Sequence, residues 1–321
     1  MVAIALGSPA ALARAEPPID PDADDQGDFW GSVLAPGGVE IAMLVEAGRH
    51  QVTLARQAAE GRGDARFRAQ RLREATAVAG RIRALVPRAP SLDFLLGLIA
   101  DEAGRTGAAE RHLAAFAARI EPGTMRTEAL LRIGRIALVR RDPAAATGPL
   151  RAALAEQRTR ADRAQALVLL AQALDDGGDL DGAIALLAGA IDRSQGPGET
   201  DDNGVWLALV AAYDRDEQVS ASLELIERLK GALGADYVSR LAAGLDAHPP
   251  VPLAAAWYQR ALVYETGELL VPARAAWTTY LGLAPGTRYQ ARAQAHVDAI
   301  DLALAARRAP AAARRRPGAR P

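Results

Sequence analysis

The chain contains no cysteine. That excludes a disulfide scaffold, a thiolate zinc site, a cysteine nucleophile and a lipidated cysteine. Lysine is nearly absent too: Lys230 is the only one, and every other basic residue is arginine. Arginine and alanine are over-used along the whole length, which reads as codon bias and carries no functional weight. Aromatic residues make up only 4% of the 321, so the 50% hydrophobic content is mostly Ala, Leu and Val. That favours close-packed helices over a β-sandwich, which draws on β-branched and aromatic side chains. An excess of one charge is also missing, with 38 basic against 39 acidic residues. A globally basic nucleic-acid binder is thereby excluded. No uninterrupted apolar run is long enough to span a bilayer.

The two ends stand apart in composition. Residues 1–15 carry an apolar stretch from Val2 to Leu12 that closes on Ala13-Arg14-Ala15. Small residues at Ala13 and Ala15 suit a signal-peptidase site, with cleavage after Ala15, although a basic leader region is missing. The expectation is export, to the periplasm or beyond, with a cytoplasmic location as the alternative. Residues 16–30 are an acidic linker containing Asp20, Asp22, Asp24, Asp25 and Asp28. Counted from Asp20, the sixth and twelfth places hold Asp25 and Gly31, where a calcium loop needs Gly and Glu. A solvated linker is therefore expected rather than a calcium site. From Arg307 to the end, six arginines sit among Pro, Gly and Ala. Setting that +6 aside takes the formal charge from −1 to −7 for the rest of the chain. Residues 307–321 are expected to be a disordered basic tail able to meet phosphate, anionic lipid or an acidic groove.

Between the ends the sequence repeats. Leu96-Gly97, Ile133-Gly134 and Leu170-Ala171 each pair a large apolar residue with a small one, and Gly97, Gly134 and Ala171 lie 37 residues apart. Ala100, Ala137 and Leu174 follow three places later. Turns are expected at Gly104, Arg141-Asp142-Pro143 and Gly177-Gly178. A second helix brings Ala109, Ala146 and Ala183, then Leu113, Leu150 and Leu187. Two antiparallel helices must approach closely here, with Ala109 expected to meet the Gly97 position. Glycine at the turn closes the first helix in the left-handed conformation. One hairpin cannot bury its apolar face alone, so neighbours stack.

Two further copies keep aromatic anchors. Trp206, Leu209 and Tyr213 precede Ser222 and Ile226; Trp257, Ala261 and Tyr264 precede Ala273, Trp277, Tyr280 and Pro285. This pattern resembles the tetratricopeptide repeat (TPR) family over about residues 90–286. The last copy fits best, with Arg260 in place of the usual Leu. The resemblance implies an all-α fold, a right-handed α-solenoid of helical hairpins. Residues 31–88 read as an N-terminal helical pair, split at Gly61-Arg62-Gly63-Asp64, that is either a cap or a divergent repeat. Residues 89–306 read as the solenoid. It is interrupted by an extra helix near Gly234–Ala247 and a stiff connector at His248-Pro249-Pro250-Val251-Pro252. A capping helix is expected after Pro285.

Sites for chemistry are scarce. His50, His112, His248 and His296 have no second ligand at metal-binding helical spacing. No phosphate loop or nucleophile elbow occurs, and Gly196-Pro197-Gly198 lacks phosphate-loop spacing. The pair Asp175-Asp176 lies at a helix end. The residues therefore argue against an enzyme and imply no cofactor and no metal.

In the TPR family the first helix of each repeat lines a concave face. Carried over residue by residue, its twelfth places are Asp101, Leu138, Asp175, Asp214 and Glu265, four of them acidic. Phe94, Arg135, Gln172 and Tyr258 are further groove candidates. The resemblance thus implies a non-enzymatic scaffold for a protein or peptide partner of basic character, with no specific nucleic acid. The chain's own tail is one candidate occupant. The alternative is a cell-envelope assembly or structural factor whose tail contacts anionic lipid or polymer.

Overall fold

The computed structural model describes residues 38–60, 64–156, 159–192, 200–247 and 249–313. The signal-like stretch, the acidic linker, His248, Gly196-Pro197-Gly198 and the tail beyond residue 313 lie outside them. Every regular element among the described residues is helical. Helices α1 (Gly38–Glu60) and α2 (Ala65–Leu85) form the N-terminal pair. Five hairpins follow: α3 (Pro90–Glu102) with α4 (Thr106–Ala117), α5 (Thr124–Val139) with α6 (Pro143–Glu156), α7 (Arg160–Asp176) with α8 (Leu180–Asp192), α9 (Thr200–Arg215) with α10 (Val219–Leu233), and α12 (Leu253–Thr266) with α13 (Leu270–Leu283). A 3₁₀ turn at Gly234–Asp236 and helix α11 (Tyr237–Ala247) separate the last two hairpins, and α14 (Gln290–Ala313) closes the chain. The basic tail was expected from Arg307; α14 extends to Ala313, past Pro310 within that stretch.

Local sequence sets the helix boundaries. The Asp64 side chain accepts a hydrogen bond from the Arg66 backbone N–H at 2.8 Å, and Thr159 accepts from Asp162 at 3.0 Å. Asp142 and Asp179 cap α6 and α8 in the same way. Each capping oxygen satisfies an N–H that the helix start leaves open. Pro90 and Pro143 begin α3 and α6, where no amide donor is needed.

The five turns inside the hairpins share one geometry. Gly104, Arg141, Gly178, Glu217 and Glu268 all have positive φ, between 55° and 94°. In each turn the next backbone N–H returns to the first helix: Arg105 to Ala100, Asp142 to Ala137, Asp179 to Leu174, Gln218 to Tyr213 and Leu269 to Tyr264. This is a left-handed helix stop that satisfies otherwise open carbonyls. Glycine was the expected residue for it, yet three of the five positions hold Arg or Glu.

The first helices form an inner layer, α1 against α3, α5 against α7, and α7 against α9. Each second helix of the first three hairpins packs on the first helix of the next hairpin. Close approach occurs where the small residues predicted it. A Cβ on Gly97 would lie 2.6 Å from Leu113, and one on Gly134 would lie 2.4 Å from Leu150. The atoms nearest to such a Cβ belong to these leucines, one turn along from Ala109 and Ala146. The N-terminal pair joins by the same device, with Gly48 of α1 facing Leu95 of α3. Helix α11 packs along α9 and against α12, lying between the fourth and fifth hairpins.

Candidate functional site

The four carboxylates expected to line a groove lie in the last turns of α3, α7, α9 and α12. A carboxylate there opposes the helix dipole, whose C-terminal end is already negative. Each is offset by groups from further along the chain. Asp101 accepts from Arg132 at 2.8 Å and from Arg135 of α5. Asp175 is 2% exposed and accepts from Arg215 of α9 at 2.7 Å, and from Arg288 and Tyr289 just ahead of α14. Asp214 is 4% exposed and accepts from the Tyr258 hydroxyl of α12 at 2.5 Å, and from Arg292 and His296 of α14. Glu265 accepts from Trp277 Nε1 at 2.9 Å and pairs with His296 Nδ1 at 2.9 Å. At the fifth equivalent position, Leu138 lies in an apolar cluster with Leu169 and Leu170 of α7. Leu169 is 37 residues beyond Arg132, so that layer is apolar on both sides where its predecessor is charged on both.

The electrostatics follow from this pairing. Burial alone would raise the Asp214 carboxyl, but hydrogen bonds from His296, Arg292 and Tyr258 hold it well below the ordinary carboxylate range. Burial alone would lower His296; its bonds to Asp214 and Glu265 prevail and raise it from 6.5 to about 9. The ring is therefore an imidazolium at neutral pH, donating from both nitrogens and stacked 4.5 Å from Trp277. Burial and the bond to Asp175 push the Tyr289 hydroxyl upward, so it stays a donor. Arg215 sits 4.6 Å from the centre of the Tyr258 ring and 5.0 Å from that of Tyr289.

Most of the expected groove side chains are thus inside the structure. Phe94, Tyr258, Gln172, Asp175 and Asp214 are buried, where exposure on a groove was expected. Phe94 stacks obliquely on Phe116. Gln172 accepts from the Val251 N–H at 3.0 Å, fastening the proline-rich connector onto α7. Arg135 and Glu265 keep partial exposure, and the Asp101 side chain is only 6% exposed. Among the described residues, Asp175 and Asp214 are met by the chain itself, at the start of the capping helix.

An open cleft of about 500 Å³ remains beside this network. Pro252, Leu253, Ala254, Leu283 and Ala284 form its apolar wall, and Arg141, Arg215 and Arg288 its basic side, with Asp176 among them. Leu253 is 64% exposed and Leu283 44%. Partial burial and the adjacent Asp175 raise the Asp176 carboxyl. Sequence reasoning missed this cleft because it joins the turn at Arg141 to α12, α13 and the approach to α14, which no local spacing relates. Among the described residues no cluster of His, Asp and Glu could hold a metal ion. No described helix is long and apolar enough to cross a membrane.

No protein-family model and no curated protein matches the chain. Solved structures of similar shape include a TPR repeat protein of Podospora anserina related to kinesin light chain, at 19% identity and a TM-score of 0.44 over 57% of this chain and 93% of that one. PilF of Pseudomonas aeruginosa is 12% identical, with a TM-score of 0.47 over 78% of this chain and 97% of that one. Cut9 from the APC/C Cut9–Hcn1 complex is 13% identical, with a TM-score of 0.45; 85% of this chain spans 50% of that one.

Proposed function

We propose that the protein is a non-enzymatic interaction scaffold that takes a segment of another protein in the cleft between α7, α12, α13 and the approach to α14. The observation that supports this is an apolar wall with exposed Leu253 and Leu283 facing a basic rim. Such a surface suits an extended segment carrying apolar side chains and a carboxylate. The acidic stripe then serves as the frame behind the contact surface, because its lone pairs are already taken by the chain's own arginines, tyrosines and histidine. In this reading the partner is acidic rather than basic.

A photo-crosslinking side chain at Leu253, compared with one at Leu302 on α14, tests the proposal in the native cell. Leu302 is 74% exposed and lies away from the cleft lining. A partner captured at Leu253 but not at Leu302, and lost from an Arg141→Glu, Leu283→Asp variant of unchanged helicity, supports it. Equal capture at both positions contradicts it. A second reading, an exported envelope factor whose tail meets an anionic surface, draws on Arg314, Arg315, Arg316 and Arg320. Salt-sensitive binding to anionic vesicles that disappears without residues 307–321 is its test.

A further inference from the structure

A second open cleft, of about 610 Å³, lies at the other end of the molecule, between α1, the end of α4 and the start of α5. Phe116, Ile120 and Met125 give it an apolar side, while the arginines at its edge are already engaged, Arg49 with Glu46 and Glu128 and Arg119 with Asp93, and Glu121 lies beside them. Arg126 Nε is buried without a hydrogen-bond partner, although its guanidinium also meets Glu156 at 3.2 Å. Beside the cleft the N-terminal pair leaves apolar side chains uncovered. Val39 and Met43 of α1 are 45% and 69% exposed, and Leu85 and Val86 at the end of α2 are 48% and 38% exposed. The first unit of a stacked array has no preceding unit to cover it, so its outer face must be polar or be covered by something else.

Residues 16–30 hold six acidic side chains and no basic one, and end in Phe29-Trp30; Val33 and Leu34 follow before α1 begins at Gly38. Eight extended residues from Gly38 back to Trp30 span up to about 26 Å. Ala42, which lines the cleft, is only about 6 Å along α1 from Gly38. The aromatic pair can therefore reach the cleft without strain, and its attachment to α1 keeps its effective concentration there high.

We propose that residues 29–34 dock in cis on this end of the molecule, with Phe29 and Trp30 against Ile120 and Met125. The segment acts as an extended N-terminal cap for the stack. The cleft is separate from the one assigned to the partner above, so neither proposal depends on the other.

The absence of native cysteine makes a direct test available on the full chain. A Gly31→Cys, Ile120→Cys pair reports docking, and a Gly31→Cys, Arg81→Cys pair serves as control, since Arg81 is exposed on α2 within similar reach. Under mild oxidation the first pair is expected to form an intrachain disulfide at least about tenfold faster than the second. Phe29→Ala with Trp30→Ala should slow it towards the control rate. The Trp30 emission, taken as the difference between the parent and Trp30→Phe, should be blue-shifted from that of free tryptophan. Equal rates for the two pairs would overturn the proposal. So would a disulfide that forms only between two molecules, which would place a second copy on the face.

Discussion

At the residue scale, two kinds of position carry the hairpin geometry. The first is the glycine under a leucine tip. Gly134→Ala would force Leu150 aside, because the new Cβ has only 2.4 Å. Overpacking of this kind costs about 1–3 kcal/mol, which outweighs the roughly 1 kcal/mol that alanine gains in helix propensity. Gly80→Ala is the matched control: it is helical, exposed and without a neighbour within 4 Å. Chemical denaturation should show Gly134→Ala destabilised and Gly80→Ala stabilised by about 0.5–1 kcal/mol. The second kind is the left-handed turn. Glu217, at φ 58°, adopts a conformation that costs an ordinary side chain about 1–2 kcal/mol. Glycine avoids that cost but gives back part of the gain in unfolded-chain entropy. Glu217→Gly should therefore raise the unfolding free energy by about 0.5 kcal/mol, and Glu217→Val should lower it.

At the scale of the element, the capping helix α14 is held by more than its apolar face. Ala293, Val297 and Ile300 are buried, while Arg292 and His296 bond the carboxylates of α9 and α12. The folded state holds the His296 proton more tightly than the unfolded chain, with a pKa of about 9 against 6.5. The stabilisation is therefore fully present below pH 6.5 and is lost as pH rises through 9. The linkage is worth about 2–3 kcal/mol. Urea unfolding at pH 6 and pH 10 should show a loss of that size in the parent and a much smaller one in His296→Gln. An equal loss in both would mean that the ring does not hold the cap.

Much of the helical layout was legible because it depends on local spacing. The recurrence of Gly97, Gly134 and Ala171 fixed where helices meet, and the turns at Gly104, Arg141 and Gly178 fall where the pattern breaks. The leucines over those glycines were less legible, because side chains on a helix lean towards its N-terminus and bring Leu113 over Gly97. The stripe of Asp101, Asp175, Asp214 and Glu265 was visible, but its internal use was not. The cations that satisfy Asp175 and Asp214 include Arg288, Arg292 and His296, 113, 78 and 82 residues away. No periodic signal links a capping helix to repeats that far upstream.

On the scale of the whole molecule, polar staples run between neighbouring units and from the cap back to the third and fourth hairpins. Asp101 ties the first hairpin to the second, Asp175 ties the third to the fourth and to the cap, and Asp214 ties the fourth to the fifth and to the cap. Buried pairs of this kind cost several kcal/mol when one partner is removed, because a desolvated charge is left behind. Exposed pairs contribute little. Asp175→Ala should therefore cost about 3–5 kcal/mol. Glu227→Ala, which breaks the exposed pair with Lys230, should change stability by less than about 1 kcal/mol.

The most direct test is a double-mutant cycle on Asp175 and Arg215, using Asp175→Asn, Arg215→Met and the combination, each followed by equilibrium denaturation. If the carboxylate and guanidinium staple the hairpins, each single change is strongly destabilising, and the double is less so than their sum, with a coupling of about 2 kcal/mol or more. Strictly additive changes would mean that the two groups do not act on each other, and the acidic stripe would again be free to serve as a ligand surface.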